Sequence, residues 1–182
     1  CQDAGFDADI HYLDLSKASR AVAEKRIRAR KLKNVTFHTG SLLEAAELGP
    51  FDYIDCCGVL HHLPVPGEGF SALKAALKPD GGMGIMVYGE AGRTGVYHVQ
   101  DMLRQIAGEE VSQDQVEIAK KLIAELPETN WLKRNNQVQD HNREDADLYD
   151  LLLHSQDRAY DVLQLADLVA ASGLRIVTFI DP

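Results

Sequence analysis

The stretch FDYIDCCGVLHHLP, residues 51–64, sets Cys56 beside Cys57 and His61 beside His62. Thiolate and imidazole are ligands for zinc and related ions, and imidazole also moves protons near neutral pH. A metal needs convergent ligands. Successive side chains on a strand point to opposite faces, so Cys56 and Cys57 cannot reach one ion. His61 and His62 meet a similar difficulty, and no second CxxC or HxxxH stands nearby to complete four ligands. No metal is therefore expected. The cysteines read as small buried residues ending a strand, and Gly58 as a point of close backbone approach. For the histidines two readings stand: one of them handles a proton, or both cap the strand-to-helix connection.

Other side chains with chemical potential lie at the ends of apolar runs. Asp14 ends DIHYLDL and could accept two charge-assisted hydrogen bonds from a ribose diol, or serve the dipole of the helix that follows. Ser41, after Gly40, could contact an adenine edge or simply cap the next helix. YGEAGRTGVY offers Tyr88, Glu90, Arg93 and Tyr97 as substrate contacts, and LLLHSQDRAY offers His154, Asp157, Arg158 and Tyr160. Arg93 and Arg158 suit an anionic substrate; the plainer reading of each is an ion-pair arginine.

The elements that must position these residues alternate. Strand character at 9–15 is followed by a helical segment at 16–33, with Ser16 as N-cap and Ala18, Ala21, Val22, Ala29 and Leu32 on one face. A strand at 34–40 leads to a short helix in SLLEAAEL. FDYIDCCGVL reads as a strand, GEGFSALKAAL as a helix, KPDGG as a turn and MGIMVYG as a buried strand. Strand–helix alternation with short connections predicts an α/β fold with a mostly parallel sheet flanked by helices, covered on both faces. In such sheets ligands sit outside the carboxyl ends of the strands, where Asp14, Gly40-Ser41, Cys57-Gly58 and Tyr88-Gly89-Glu90 fall. Residues 90–158 break the alternation. Two helices are predicted in VYHVQDMLRQIA and DQVEIAKKLIAEL, then a polar loop in PETNWLKRNNQVQDHNRED, as a helical insertion capping the substrate side of one domain spanning 1–182. A helix begins at an Asp161–Gln164 capping box and stops at Gly173, and LRIVTFI reads as a last strand.

The chain of 182 residues fits one domain, and its 45% apolar content allows a real core. A net charge of -9 argues against nucleic-acid binding, so the basic run EKRIRARKLK reads as cations at a helix C-terminus. No apolar run reaches membrane-spanning length. Three cysteines, two of them adjacent, make no disulfide framework, which favours a reducing compartment and a cytoplasmic location.

YLDLS, VTFHTGSLLE, FDYIDCCGVLHHLP and LKPDGGMGIMVYGE stand in an order and spacing that resembles class I, Rossmann-like, methyltransferases using S-adenosylmethionine. The resemblance covers residues 9–89 and, more loosely, 161–180. It implies a methyltransferase with S-adenosyl-L-methionine as cofactor and an unidentified, small-molecule acceptor. It implies that Asp14 holds the ribose, Leu15 packs on the adenine, and Leu42 offers a backbone N–H. Ser41 stands where many members have Asp. Gly58, Val59 and Leu60 would line the methionine end, with His61 nearest the methyl group. The family's first strand and glycine-rich loop should precede residue 9, where only CQDAGFDA stands, with Cys1–Ala4 as a remnant beyond the loop. The chain is thus expected to be a piece of such an enzyme, cut at both ends. Two other readings remain: a non-catalytic methyltransferase-like module, and a nicotinamide-dependent oxidoreductase, which shares the acidic residue but lacks a Tyr-x-x-x-Lys pair here.

Overall fold

A computed structural model describes residues 7–108, 113–138, 144–154 and 156–180. The predicted remnant at residues 1–4 lies outside them. The order is β1 (Ile10–Asp14), α1 (Lys17–Ala29), β2 (Val35–Thr39), β3 (Phe51–Cys57), α2 (Pro66–Ala75), β4 (Leu77–Met86), β5 (Tyr88–Gly89), α3 (Val96–Ala107), α4 (Gln113–Glu125), α5 (Trp131–Arg134), α6 (Asp145–Leu152), β6 (Ala159–Tyr160) and α7 (Val162–Ala171). This is the expected α/β pattern. Among the described residues its strands form three two-stranded ladders, β1-β2, β3-β4 and β5-β6. The first and third are parallel, with Ile10 opposite Val35 and Tyr88 opposite Ala159. The chain divides into two compact units, Cys1–Asp55 with Gly67–Gly84, and Cys56–Pro66 with Ile85–Pro182.

In the first unit, β1, α1 and β2 make a βαβ crossover. Ser16 caps α1 by accepting from the Ser19 N–H. The apolar face predicted for α1 is not the one turned inward: Ala18, Ala21, Val22 and Ala29 are exposed, and positions 20, 23, 24 and 27 are half-buried. The reason is tertiary. Arg20 donates to Thr39 Oγ1 at 3.0 Å and to Glu24 Oε1 at 2.9 Å, which ties its side of the helix to β2. Glu24 also takes Arg28 at 2.9 Å, and these bonds, Arg20's foremost, lower its carboxyl below the usual range. Arg26 and Arg28 occupy the last turn, where cations are favoured.

Two further expectations are corrected. KPDGG is not a turn; it lies inside β4. Proline is tolerated in a strand whose N–H side is unpaired, and among the described residues β4 has β3 as its one ladder partner. Nor are β3 and β4 covered on both faces, since Tyr53 is 61% and Met86 44% exposed. MGIMVYG is interrupted at Val87, between β4 and β5. Residues 174–180 form no ladder among the described residues, and Val177, Phe179 and Ile180 are exposed. A strand exists through its partner, and composition alone does not supply one.

The second unit holds the largest buried cluster. Val96, Val99 and Leu103 on α3, Val116, Ala119 and Ile123 on α4, and Leu148, Leu151 and Leu152 on α6 pack together at helical spacing. The predicted polar loop at 127–145 contributes too. Asn130 caps α5 through the Leu132 N–H, and this turns Leu132, fully buried, into the cluster with Val138. Gly95 begins α3 at φ +91°, and a Cβ there would meet the Leu132 nitrogen, so the two helices join by backbone contact. The Asp161–Gln164 capping box and the Gly173 stop at φ +68° are present as expected.

Candidate functional site

In the first unit Asp14 ends β1. Its Oδ1 accepts from the Ser16 N–H and its Oδ2 from the Tyr12 hydroxyl, both at 2.8 Å. Each oxygen keeps a second lone pair for a further donor. Burial and the adjoining carboxylate raise the Tyr12 hydroxyl above its ordinary range. Leu15, beside Asp14, is 76% exposed. Ser41 forms a capping box with Glu44 over the short 3₁₀ helix Leu42–Glu47, accepting from the Leu43 N–H. The cap reading of Ser41 is thus the one its hydroxyl displays. Leu42 opens that helix and is half-buried.

The second unit brings together most of the remaining residues singled out from the sequence. Cys56 is buried and Cys57 exposed, so strand alternation separates them as expected. Gly58 follows at φ +75°, its N–H donating to the Met86 carbonyl at 3.1 Å. Val59 is exposed and Leu60 fully buried. The chain then enters a 3₁₀ turn, Leu60–His62. Strand alternation therefore does not govern the histidines. Their ring centroids lie 4.2 Å apart.

His61 is 1% exposed and packs against Tyr88 in a tilted pair, 3.8 Å between centroids. Burial, reinforced by His62, pushes its imidazole down to about 4, so it is neutral at physiological pH. His62 Nδ1 lies 2.8 Å from the Gln156 carbonyl, and its ring packs against His154 at 4.2 Å. His154 Nδ1 accepts from the Gln156 N–H at 3.1 Å. Arg93 lies with its guanidinium carbon 3.5 Å from the Tyr88 centroid and donates to Asp157 Oδ2 at 2.8 Å. Both partners of that ion pair are buried. Arg93 is thus an ion-pair arginine, the plainer of its two sequence readings. Gln100 Nε2 donates to the same oxygen at 3.2 Å and to the Leu151 carbonyl at 2.9 Å.

Two predicted contacts stand apart from this group. Glu90 is exposed, with its N–H donating to the Tyr160 carbonyl, and Arg158 is exposed over the Tyr160 ring at 5.5 Å. Two residues that sequence reading missed belong to it. Asp150 accepts weakly from Tyr88 at 3.4 Å, and Gln100 orients Asp157. Gln100 falls among α3's apolar positions, a polar residue on a buried face, and that was its only sequence signal.

The group holds a concentration of buried polar atoms. His61 Nδ1 and Nε2, Arg93 Nε, Tyr97 Oη, Asp157 Oδ1 and Tyr160 Oη have no hydrogen-bond partner among the described residues. Such atoms are rare in folded proteins, so their clustering makes this group the candidate site. Burial, helped by Asp157, raises the Tyr97 hydroxyl to about 12, and burial raises those of Tyr88 and Tyr160 as well. All three tyrosines are neutral donors.

Comparison with known proteins agrees with this architecture. Residues 3–83 match the family model described as a methyltransferase domain. The structure is similar to PKMT2 from Rickettsia typhi in complex with AdoHcy, with a TM-score of 0.67 and 22% identity over 89% of this chain. In sequence the chain is 34% identical over 180 residues, 96% of its length, to an uncharacterised Synechococcus protein. It is 33% identical over 86 residues, 47% of its length, to phosphoethanolamine N-methyltransferase 2 of Caenorhabditis elegans. The chain spans 43% of the Synechococcus protein, 20% of the Caenorhabditis protein and 34% of the Rickettsia chain. The chain thus shares its α/β fold with that Rickettsia protein, and its residues 3–83 are similar to the methyltransferase-domain family.

Proposed function

We propose that this chain is part of an S-adenosylmethionine-dependent methyltransferase that acts on a small molecule in the cytoplasm. The observation that carries the reading is the methyltransferase-domain match, which takes in Asp14, Ser41, Gly58 and His61. The residues of each unit suit the cofactor. In the first, Asp14 is a half-buried carboxylate with lone pairs to spare, followed by an exposed apolar Leu15. In the second, Gly58 takes a left-handed conformation where a side chain would be strained.

S-adenosylmethionine supplies an activated methyl group on a sulfonium; the chain supplies proximity and a desolvated setting. Asp14 accepts the ribose hydroxyls, Leu15 covers the adenine, and Ser41 and Leu42 address its edge through hydroxyl and backbone N–H. Gly58, Val59 and the backbone of Leu60, whose side chain is buried, face the methionine end. His61 and His62 serve the acceptor, and Tyr88, Glu90, Arg93, Tyr97, His154 and Arg158 provide the wall it meets. Residues 90–158 act as a substrate-side cap on a single domain.

The assignment is tested at Asp14. Replacing Asp14 by Ala removes charge-assisted hydrogen bonds and is expected to weaken S-adenosylmethionine binding by about tenfold or more. Unchanged affinity by calorimetry would remove the ribose role from Asp14.

A further inference from the structure

We propose that His61, His62 and Asp157 form a binding site for a divalent first-row transition metal, with zinc the ion that suits their donors best. One ring nitrogen of each histidine and a carboxylate oxygen of Asp157 lie within 4.8 Å of one another. Three features show a site prepared for an ion. Both nitrogens of His61 and Oδ1 of Asp157 are buried and unpartnered among the described residues. A buried polar atom is costly while unsatisfied, and ligation would relieve Asp157 Oδ1 and one nitrogen of His61. The carbonyl of Gln156 can only accept, so the His62 nitrogen 2.8 Å from it carries the proton and the other keeps its lone pair. That hydrogen bond is the usual outer contact of a ligating histidine. Finally, Asp157 Oδ2 is occupied by Arg93 and Gln100, which fixes the carboxylate and leaves Oδ1 as the donor.

Two imidazoles and one carboxylate select zinc, cobalt, nickel or iron(II) over magnesium and calcium, which favour all-oxygen shells. Three protein ligands leave a fourth position open, as in catalytic sites. Ligand atoms in a tetrahedral zinc site stand about 3.3 Å apart, so side-chain torsions must close the spacing. His62, Asp150 and His154 make a second convergent set. It is the poorer one: His154 Nδ1 already accepts the Gln156 N–H, so neutral His154 carries its proton on Nε2 and has no lone pair left to offer.

The inference rests on the proposed function for the place of these histidines and deepens it, since an ion there would give the acceptor an electrophilic anchor in place of an imidazole base. The test is equilibrium dialysis of the full chain, stripped with chelator, against zinc, with bound metal measured by elemental analysis and repeated with cobalt(II) for its visible absorption. The native chain is expected to retain one ion, and magnesium is not expected to compete. His62→Gln and Asp157→Asn should each weaken retention by about tenfold or more. His38→Gln, at a separate histidine pair (His11–His38, 3.1 Å between nitrogens), should leave retention unchanged. Circular dichroism checks that each variant folds. If Asp157→Asn does not fold, His62→Gln and His154→Ala decide together: the site requires loss in the first, which is only half-buried, and retention in the second. No ion retained, unchanged retention in His62→Gln, or loss in His154→Ala with none in Asp157→Asn would each overturn the assignment. Failure here with S-adenosylmethionine binding intact condemns the metal alone; zinc retained without cofactor binding condemns the methyltransferase reading alone.

Discussion

His61 departs furthest from the ordinary behaviour of its side chain. Its imidazole is depressed from 6.5 to about 4, chiefly by burial. The unfolded chain therefore takes up a proton in this range that the folded chain refuses. Stability is full above about 6.5 and is lost as pH falls toward 4. Urea midpoints measured in chelator, which keeps metal off the histidines, should decline from pH 7 to pH 5, and His61→Phe should flatten that slope. An identical slope in the variant would mean that His61 is not held neutral by its surroundings. The residue type and its place after a strand were legible in the sequence. Its convergence with Asp157, 96 positions along the chain, was not, because nothing local encodes it. The argument that neighbours point apart held for Cys56 and Cys57 on β3. It failed for His61 and His62 because a 3₁₀ turn intervenes.

At the scale of elements, local signals read well and tertiary ones poorly. The Asp161–Gln164 capping box and the Ser16 cap each involve residues three apart, and both formed. The inward face of α1 was misread because an arginine bonded to β2, not the alanine stripe, decides its rotation. Leu132 was hidden in a polar sequence and is fully buried. Truncating it to Ala should cost about 2–5 kcal/mol in denaturant unfolding, while Trp131→Ala, at a 59% exposed neighbour, should cost far less. Equal costs would contradict the packing described for α5. Gly95→Ala adds a Cβ that overlaps the α5 backbone at a positive φ, and should destabilise by about 1–3 kcal/mol or more. A neutral Gly95→Ala would show that the two helices do not meet there.

For the whole molecule, composition excludes more than it assigns. A net charge of -9 gives the chain little attraction for phosphate backbones, so anisotropy with a labelled duplex should show no binding at physiological salt. Among the described residues no helix is long and apolar enough to cross a membrane. Where composition leaves the activity open, the α/β fold and the similarity of residues 3–83 to the methyltransferase-domain family support the proposed methyltransferase. That claim is tested most directly by calorimetric titration of the full-length protein with S-adenosylmethionine. The account predicts saturable binding, weakened by Asp14→Ala. Absence of heat together with absence of thermal stabilisation at millimolar cofactor would contradict it.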